Sequence, residues 1–208
     1  ALSVRGGNFD ENLIYVNGFE IYRPQLIRSG QQEGMSFINP DLVENIKFSA
    51  GGFTANYGDK LSSVLDIQYK IPKKKGIGAE ISFLGGSLFG EYLSKDNRLS
   101  VIGGLRYRTN QYLLNSLDVQ GTYAPKFFDF QLYSTYRLNK KVSFNWLSNI
   151  SNNLFLLLPQ SQETSFGTFN QALKLFVAFG GQEKLQYQTI FNGINLDVNW
   201  SDKLHTTF

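Results

Sequence analysis

Residues 126–138 read KFFDFQLYSTYRL, and apolar and polar side chains alternate along most of this segment. Asp129, for example, stands between Phe128 and Phe130. Because successive side chains of a β-strand point to opposite faces, the alternation predicts a strand with one apolar and one polar face. The segment is roughly twice as long as the usual strand of about 5–6 residues. Its length matches a tilted transmembrane strand, which needs about 9–11 residues.

Three further segments alternate in the same way, and they lie at 98–108, 142–151 and 189–200. The polar faces of the four segments carry charged side chains, which we expect to line the inside of a barrel and to bond to a polar surface or to water. These residues are Arg98, Arg106, Asp129, Arg137 and Asp197. The residues that break the alternation are Ile102, Tyr133, Leu147 and Phe191.

The connections between these segments alternate between short and long. Tight turns are predicted at 94–97, 139–140 and 201–202, whereas 109–125 and 152–184 are predicted to be long irregular loops. Short turns at one end and long loops at the other are the signature of an outer-membrane barrel. A soluble β-sandwich has shorter strands and less polarised connections, so the sequence favours the membrane barrel.

The number of predicted strands indicates an incomplete barrel. About seven strands are predicted from the alternation, at 78–84, 87–94, 97–108, 126–138, 141–152, 186–200 and 203–208. A bacterial barrel made from a single chain has an even number of strands, at least about eight. Seven strands cannot close, so we expect this chain to hold the opening part of a larger barrel.

The composition excludes several classes of protein. The 208 residues include no Cys and one His, which excludes a disulfide framework and leaves little of the usual chemistry for zinc binding or general-base catalysis. The formal net charge of +3 is too small to indicate a nucleic-acid partner. No window approaches about 18 consecutive apolar residues, which excludes a transmembrane helix. We therefore expect no enzyme activity, no metal and no cofactor.

Residues 1–72 carry shorter elements separated by turn residues. A hairpin is predicted over 12–22, because a strand candidate stops there at the turn dipeptide Asn17-Gly18. Residues 39–46 begin with Asn-Pro, a helix cap followed by proline at the first helical position, which predicts a short helix. Further short strands are predicted at 46–49 and 62–69.

Several motifs in residues 4–71 resemble, in the same order, the second half of the plug of TonB-dependent receptors. The family pattern contains an arginine-glycine pair, an aspartate-glycine hairpin, a helix leading into an E-x-I strand, a glycine-rich turn and a Tyr-Gly pair. Here the motif residues are Arg5, Gly6, Asn17, Gly18, Glu44, Gly51, Gly52, Tyr57 and Gly58. Since all the pieces occur in order, the resemblance is specific.

Two positions depart from the family pattern. Asn17 stands where the family usually has Asp, which removes a charge from the plug hairpin. Gly51-Gly52 replaces the commoner glycine-proline, which suits a freer turn. Neither change alters the plug assignment.

The resemblance implies a fold and a location. It implies a mixed α/β plug over 1–72, a linker at 73–77 and, at 78–208, the first strands of an antiparallel transmembrane β-barrel that is part of a 22-stranded barrel. It places the protein in the outer membrane of a Gram-negative bacterium, in contact with membrane lipid. The implied partner is the TonB energy-transducing complex, and a surface lipoprotein is a further candidate. We expect the box that binds TonB, and the first half of the plug, to lie outside this chain.

The resemblance also implies a function, namely the energised uptake of a scarce or bulky nutrient such as a siderophore, vitamin, glycan or peptide. A folded plug is needed because a barrel wide enough for such a nutrient would leak. One alternative is a plugged barrel that has a structural or secretion-related partner and transports nothing. The other alternative is a soluble β-rich binding module.

Ligand contacts are expected from two polar segments, 23–37 in the plug and 109–125 in the barrel, because binding residues concentrate in loops that a rigid scaffold positions. The predicted ligand-binding residues are Arg23, Gln25, Arg28, Gln31, Gln32, Asn110, Gln111, Tyr112 and Tyr123. The alternative for each is a solvated loop side chain that contacts no ligand.

Overall fold

The computed structural model is built mainly of β-strands. It describes residues 4–6, 11–24, 28–29, 32–33, 35–54, 56–58, 62–109, 111, 121–123, 125–159, 161–168, 171–178, 180–201 and 203–208. Within these ranges, no helix has the length and apolar character needed to cross a membrane.

The strands form two groups along the chain. The N-terminal group is β1 (Asn12–Val16), β2 (Phe19–Glu20), β3 (Arg28–Ser29), β4 (Gln32–Glu33), β5 (Val43–Ser49) and β6 (Ser63–Tyr69). The second group is β7 (Gly76–Ser82), β8 (Gly85–Leu93), β9 (Leu99–Arg108), β10 (Gly121–Tyr123), β11 (Lys126–Arg137), β12 (Val142–Pro159), β13 (Gln162–Thr168), β14 (Gln171–Val177), β15 (Glu183–Ser201) and β16 (Leu204–Thr207).

The N-terminal sheet has the strand order β2-β1-β6-β5. β1 and β2 form the predicted hairpin, and the φ angles of Asn17 and Gly18 are 49° and 81°. Two positive φ angles are what a two-residue hairpin turn requires, and Asn and Gly tolerate them best. The Asn17 Oδ1 also accepts a hydrogen bond from the Tyr69 backbone N–H at 2.8 Å. Asn at this position therefore still supplies the acceptor that ties the turn to the end of β6.

The helix predicted within residues 39–46 is wrong in length, because only a 3-10 turn, Pro40–Leu42, is formed. The cap itself is correct: the Asn39 Oδ1 accepts a hydrogen bond from the Asp41 backbone N–H at 3.1 Å. β5 begins at Val43 and pairs antiparallel with β6. This strand pairing takes up the backbone groups that a longer helix would need, so tertiary context overrides the local helix signal. The helical content expected of the plug is not confirmed within the described residues.

The long sheet is an antiparallel meander with the order β7-β8-β9-β11-β12-β15-β16, and β10 pairs with the far end of β12. Its strands overlap the segments predicted from alternation. β11 has 12 residues, β12 has 18 and β15 has 19, well beyond the usual strand length. Tight turns join β8 to β9, β11 to β12 and β15 to β16 at one end of the sheet.

The prediction of irregular loops at 109–125 and 152–184 is wrong in part, because both contain strands. β12 continues to Pro159, and its far end pairs with β10 on one side and with β15 on the other. β13 and β14 pair as a separate antiparallel hairpin. Residues 154–158 are a continuous apolar run, and period-2 alternation cannot detect a strand in such a run.

The two sheets meet in one apolar cluster. The buried members from the N-terminal part are Ile14, Val16, Ile21, Phe37, Leu42, Ile67 and Tyr69. The long sheet contributes Ile102 and Leu147, both 0% exposed, and Tyr133 and Phe191 pack against them. These four residues are the ones that break the alternation in the sequence. Each break therefore marks a point where the inner face of the long sheet is apolar because the N-terminal sheet covers it.

Leu147→Ala is expected to loosen the contact between the sheets, because it leaves a cavity in their shared cluster. Truncating a buried Leu destabilises by about 2–5 kcal/mol. Ile150→Ala is the matched control, since Ile150 lies on the same strand but is 42% exposed on the opposite face. The measurement is the temperature at which residues 12–69 become sensitive to protease in detergent. Leu147→Ala should lower this temperature by several degrees, and an equal shift in Ile150→Ala would contradict the assignment of the two faces.

Candidate functional site

The centre of the contact between the two sheets is a buried ion pair. Arg106 on β9 and Asp129 on β11 are cross-strand partners, and their side chains are 3% and 0% exposed. The guanidinium donates from Nε to Oδ1 and from Nη2 to Oδ2, both at 2.8 Å. Such a bidentate pair fixes both the distance and the orientation of the guanidinium plane.

The same guanidinium binds the N-terminal part of the chain. Arg106 Nη1 donates to the Ile38 carbonyl at 2.8 Å, and Nη2 donates to the Ser36 carbonyl at 2.9 Å. Gln131, the next inward position on β11, donates from Nε2 to the Phe37 carbonyl at 3.2 Å. Side chains of the long sheet therefore hold three consecutive carbonyls, those of residues 36–38.

Tyr69 connects this site to β6. Its hydroxyl donates to the Gln131 Oε1 at 2.7 Å, while Asn149 Nδ2 donates to the Asp129 Oδ2 at 3.3 Å. Burial raises the pKa of the Tyr69 phenol above its ordinary value of 10.0, so this group is neutral and serves as a donor at physiological pH. The site is thus a connected polar network inside an apolar cluster.

The remaining charged residues of the predicted inner face behave differently. Asp197 accepts hydrogen bonds from Asn145 Nδ2 and from Thr207 Oγ1, both at 2.6 Å, and so joins strands of the long sheet. The Arg98 side chain is 61% exposed and lies 3.9 Å from Asp96, and Arg137 is exposed. Of these five predicted residues, Arg106 and Asp129 are confirmed in the network that holds the N-terminal part.

Two glycines of the long sheet mark points where side chains of the N-terminal part pack directly against its backbone, and the sequence patterns above did not single them out. A Cβ at Gly104 would lie 2.5 Å from the Asn39 Nδ2. A Cβ at Gly193 would lie 2.5 Å from Cδ1 of Phe19. Glycines at inward positions of otherwise alternating strands are the signal that indicates such approach.

The motif residues of the N-terminal part shape turns and short contacts. Arg5, Gly6, Gly51 and Gly52 all have positive φ angles, and a Cβ at Gly51 would lie 3.2 Å from Arg5 Nη1. The Tyr57 hydroxyl donates to the Asp66 Oδ2 at 3.0 Å, and burial, followed by this hydrogen bond, raises the Tyr57 pKa. Glu44 is exposed on β5, and Gly58 is exposed as well.

The structure describes some of the predicted ligand-binding residues. Arg23 is exposed, Gln111 is half-buried, and Arg28 and Gln32 lie on the paired strands β3 and β4. Tyr123 lies on β10 opposite Leu157. Gln25, Gln31, Asn110 and Tyr112 lie outside the described residues. The assignment of all nine to a ligand stays a prediction.

The comparisons with known proteins agree with this geometry. The family model of the TonB-dependent receptor plug domain matches residues 1–63. The N-terminal part of the chain is therefore similar to the plug of TonB-dependent receptors. The plug match supports a location in the bacterial outer membrane, and the matched family is not a class of enzymes. The N-terminal part of the chain, up to the end of β6, is accordingly called the plug below, and the long sheet the barrel sheet.

A solved structure has the same fold. It is the ferric enterobactin receptor from Pseudomonas aeruginosa, solved as a double mutant, with a TM-score of 0.52 and 16% sequence identity. The match covers 95% of this chain and 32% of that receptor, so the chain spans about a third of its length. The comparison with curated proteins gives no match.

Tyr69→Phe is expected to change how the stability of the plug depends on pH. The unfolded chain releases the Tyr69 proton near pH 10, while the folded plug retains it because its pKa is raised. Stability from this group is therefore fully present below pH 10 and is lost, by about 1.4 kcal/mol per pH unit, as the pH rises above it.

The measurement is the unfolding free energy of the plug in detergent between about pH 9 and 11. The wild-type receptor should lose stability more steeply than Tyr69→Phe, by about one proton. Tyr22→Phe is the control, since Tyr22 is 82% exposed. Parallel curves for the wild type and Tyr69→Phe would show that burial does not hold this phenol neutral.

Proposed function

We propose that the receptor carries out energised uptake of a scarce or bulky nutrient through a plugged barrel. The observation that carries the proposal is the contact between plug and barrel sheet: a buried polar network surrounded by an apolar cluster. Such a contact holds a folded domain against the barrel wall and blocks free diffusion. It also leaves a discrete set of bonds that an energy source has to break before a nutrient can pass.

We also propose that the barrel sheet forms part of a 22-stranded barrel. The sheet ends at β7 on one side and at β16 on the other. Within a membrane, the backbone groups of an open sheet edge have no water to bond to, so these edges require further strands. The intact mass of the native protein in detergent tests this point, since a chain too short to add the missing strands would exclude it.

Energised uptake also requires an energy source and groups that bind the nutrient. Energy comes from the TonB complex, because the outer membrane holds no nucleotide or ion gradient of its own. Ligand contacts are proposed at Arg23, Gln25, Arg28, Gln31 and Gln32 of the plug and at Asn110, Gln111, Tyr112 and Tyr123 of the barrel. A surface lipoprotein over the barrel is a further proposed partner.

Energised uptake predicts that transport by the full-length receptor depends on the TonB complex. The measurement is the cellular uptake of four labelled probes: a ferric siderophore such as ferric enterobactin, a vitamin, an oligosaccharide and a peptide. One class should accumulate, and its uptake should fall to background when the TonB complex is deleted. A receptor without the plug residues 1–72 is the leak control, since entry through it should need no energy.

The other outcomes separate the alternatives. Uptake that persists without the TonB complex would contradict energised transport. A receptor that takes up none of the probes, and that purifies with a stable partner over its loops, would support the structural or secretion-related role instead. Extraction of the native protein into buffer without detergent would support the soluble β-rich binding module instead.

A further inference from the structure

Pro24 and Phe37 of the plug lie close together, and the segment between them is called the excursion 24–37; the structure describes residues 28–29, 32–33 and 35–36 of it. The Phe37 backbone N–H donates to the Pro24 carbonyl at 2.7 Å, and the Ser36 hydroxyl donates to the same carbonyl at 3.5 Å. The paired strands β3 and β4 lie between these points. Residues 24, 36 and 37 therefore form the base of the excursion, where the chain leaves and returns.

The base of this excursion is attached to the barrel sheet through its backbone. Arg106 donates to the carbonyls of Ser36 and Ile38, and Gln131 donates to the carbonyl of Phe37. The bond to Phe37 is buried and the two bonds from Arg106 are part-buried. A carbonyl shielded from water destabilises the protein when it loses its donor, so these bonds resist displacement of the base. Bonds to backbone carbonyls hold the path of the chain rather than the side chains along it.

Arg106 can do this because other groups hold its side chain. The bidentate bonds to Asp129 orient the guanidinium, which makes four hydrogen bonds in total, two to Asp129 and two to the plug. Phe37 packs edge-on against Phe191 of β15, with ring centroids 5.4 Å apart, so the base also makes an apolar contact with the barrel sheet. Arg98, on the same face near the other end of β9, is 61% exposed.

We infer that Arg106 is a positioning residue: oriented by Asp129, it clamps the base of the plug excursion 24–37 to β9 and β11. The clamp thereby sets where the predicted ligand-facing residues of the excursion stand. This second part rests on the proposed function, because that function assigns the excursion to a ligand. The clamp itself can be measured without any ligand.

The experiment is hydrogen exchange of the native full-length receptor in detergent, followed by mass spectrometry of peptides that cover residues 35–42. Exchange of buried amides reports how often a segment opens. Arg106→Met removes the donors to both carbonyls, and we expect exchange in 35–42 to rise on the order of 100-fold. The matched control is Arg98→Met, which removes an exposed arginine immediately before the same strand and should leave the exchange unchanged.

A double variant distinguishes the proposed positioning role of Arg106 from a purely structural role of the Arg106–Asp129 ion pair. Arg106→Met leaves Asp129 buried without its cation, which destabilises the receptor. Arg106→Met/Asp129→Leu removes both charges, so no unpaired charge stays buried. It still leaves the carbonyls of Ser36 and Ile38 without donors. A positioning role predicts fast exchange in 35–42 in the double variant, whereas a structural charge pair predicts recovery to the wild-type rate. Where Arg106→Met does not fold, the double variant and Arg106→Lys carry the test.

Each outcome has a distinct meaning. Equal exchange in the Arg106 and Arg98 variants, or recovery in the double variant, would overturn the clamp. Binding is measured with the labelled probe that the wild type binds best, and Arg106→Lys should weaken it about tenfold. Lysine lacks the planar set of donors that bonds to Asp129 and to both carbonyls at once. Unchanged binding would overturn the ligand-positioning part. Fast exchange in a receptor that transports none of the probes would leave the clamp standing and remove the proposed transport.

Discussion

A guanidinium buried between two sheets has to be fully bonded, and this requirement organises the contact between plug and barrel. Arg106 meets it with a carboxylate from its own sheet and with two backbone carbonyls from the plug. An unpaired charge in such a place would destabilise the protein strongly. The network therefore forms only when residues 36–38 lie against β9 and β11, so the ion pair specifies one placement of the plug.

The barrel sheet has to satisfy two environments at once. Its outer face is apolar and exposed, and residues such as Ile190 and Ile194 are more than half exposed there. Its inner face meets a folded domain rather than only water, so it combines a polar network with apolar contacts at Ile102 and Leu147. This combination holds the plug against the sheet through a small number of polar bonds inside an apolar cluster.

The sequence and the structure differ in informative places. The hairpin at Asn17 and the cap at Asn39 were predictable because both depend on local backbone chemistry. The helix predicted within 39–46 fails because β5 pairs with β6, and such a partner leaves no trace in local propensity. The extension of β12 to Pro159 has the same cause, since its strand partners β10 and β15 stabilise an apolar run that has no period.

The sequence by itself determined the plug motifs, the order of the long strands and the polarity of their faces, because each depends on neighbours along the chain. The sequence also contains the four apolar residues that break the alternation, but it does not show why an apolar residue stands at each position. Only the tertiary structure decided that these residues touch the plug and that, of the inward charges, Arg106 and Asp129 join it. Which inward residue meets the plug depends on how two independently predicted sheets dock, and docking is a long-range property of the whole fold.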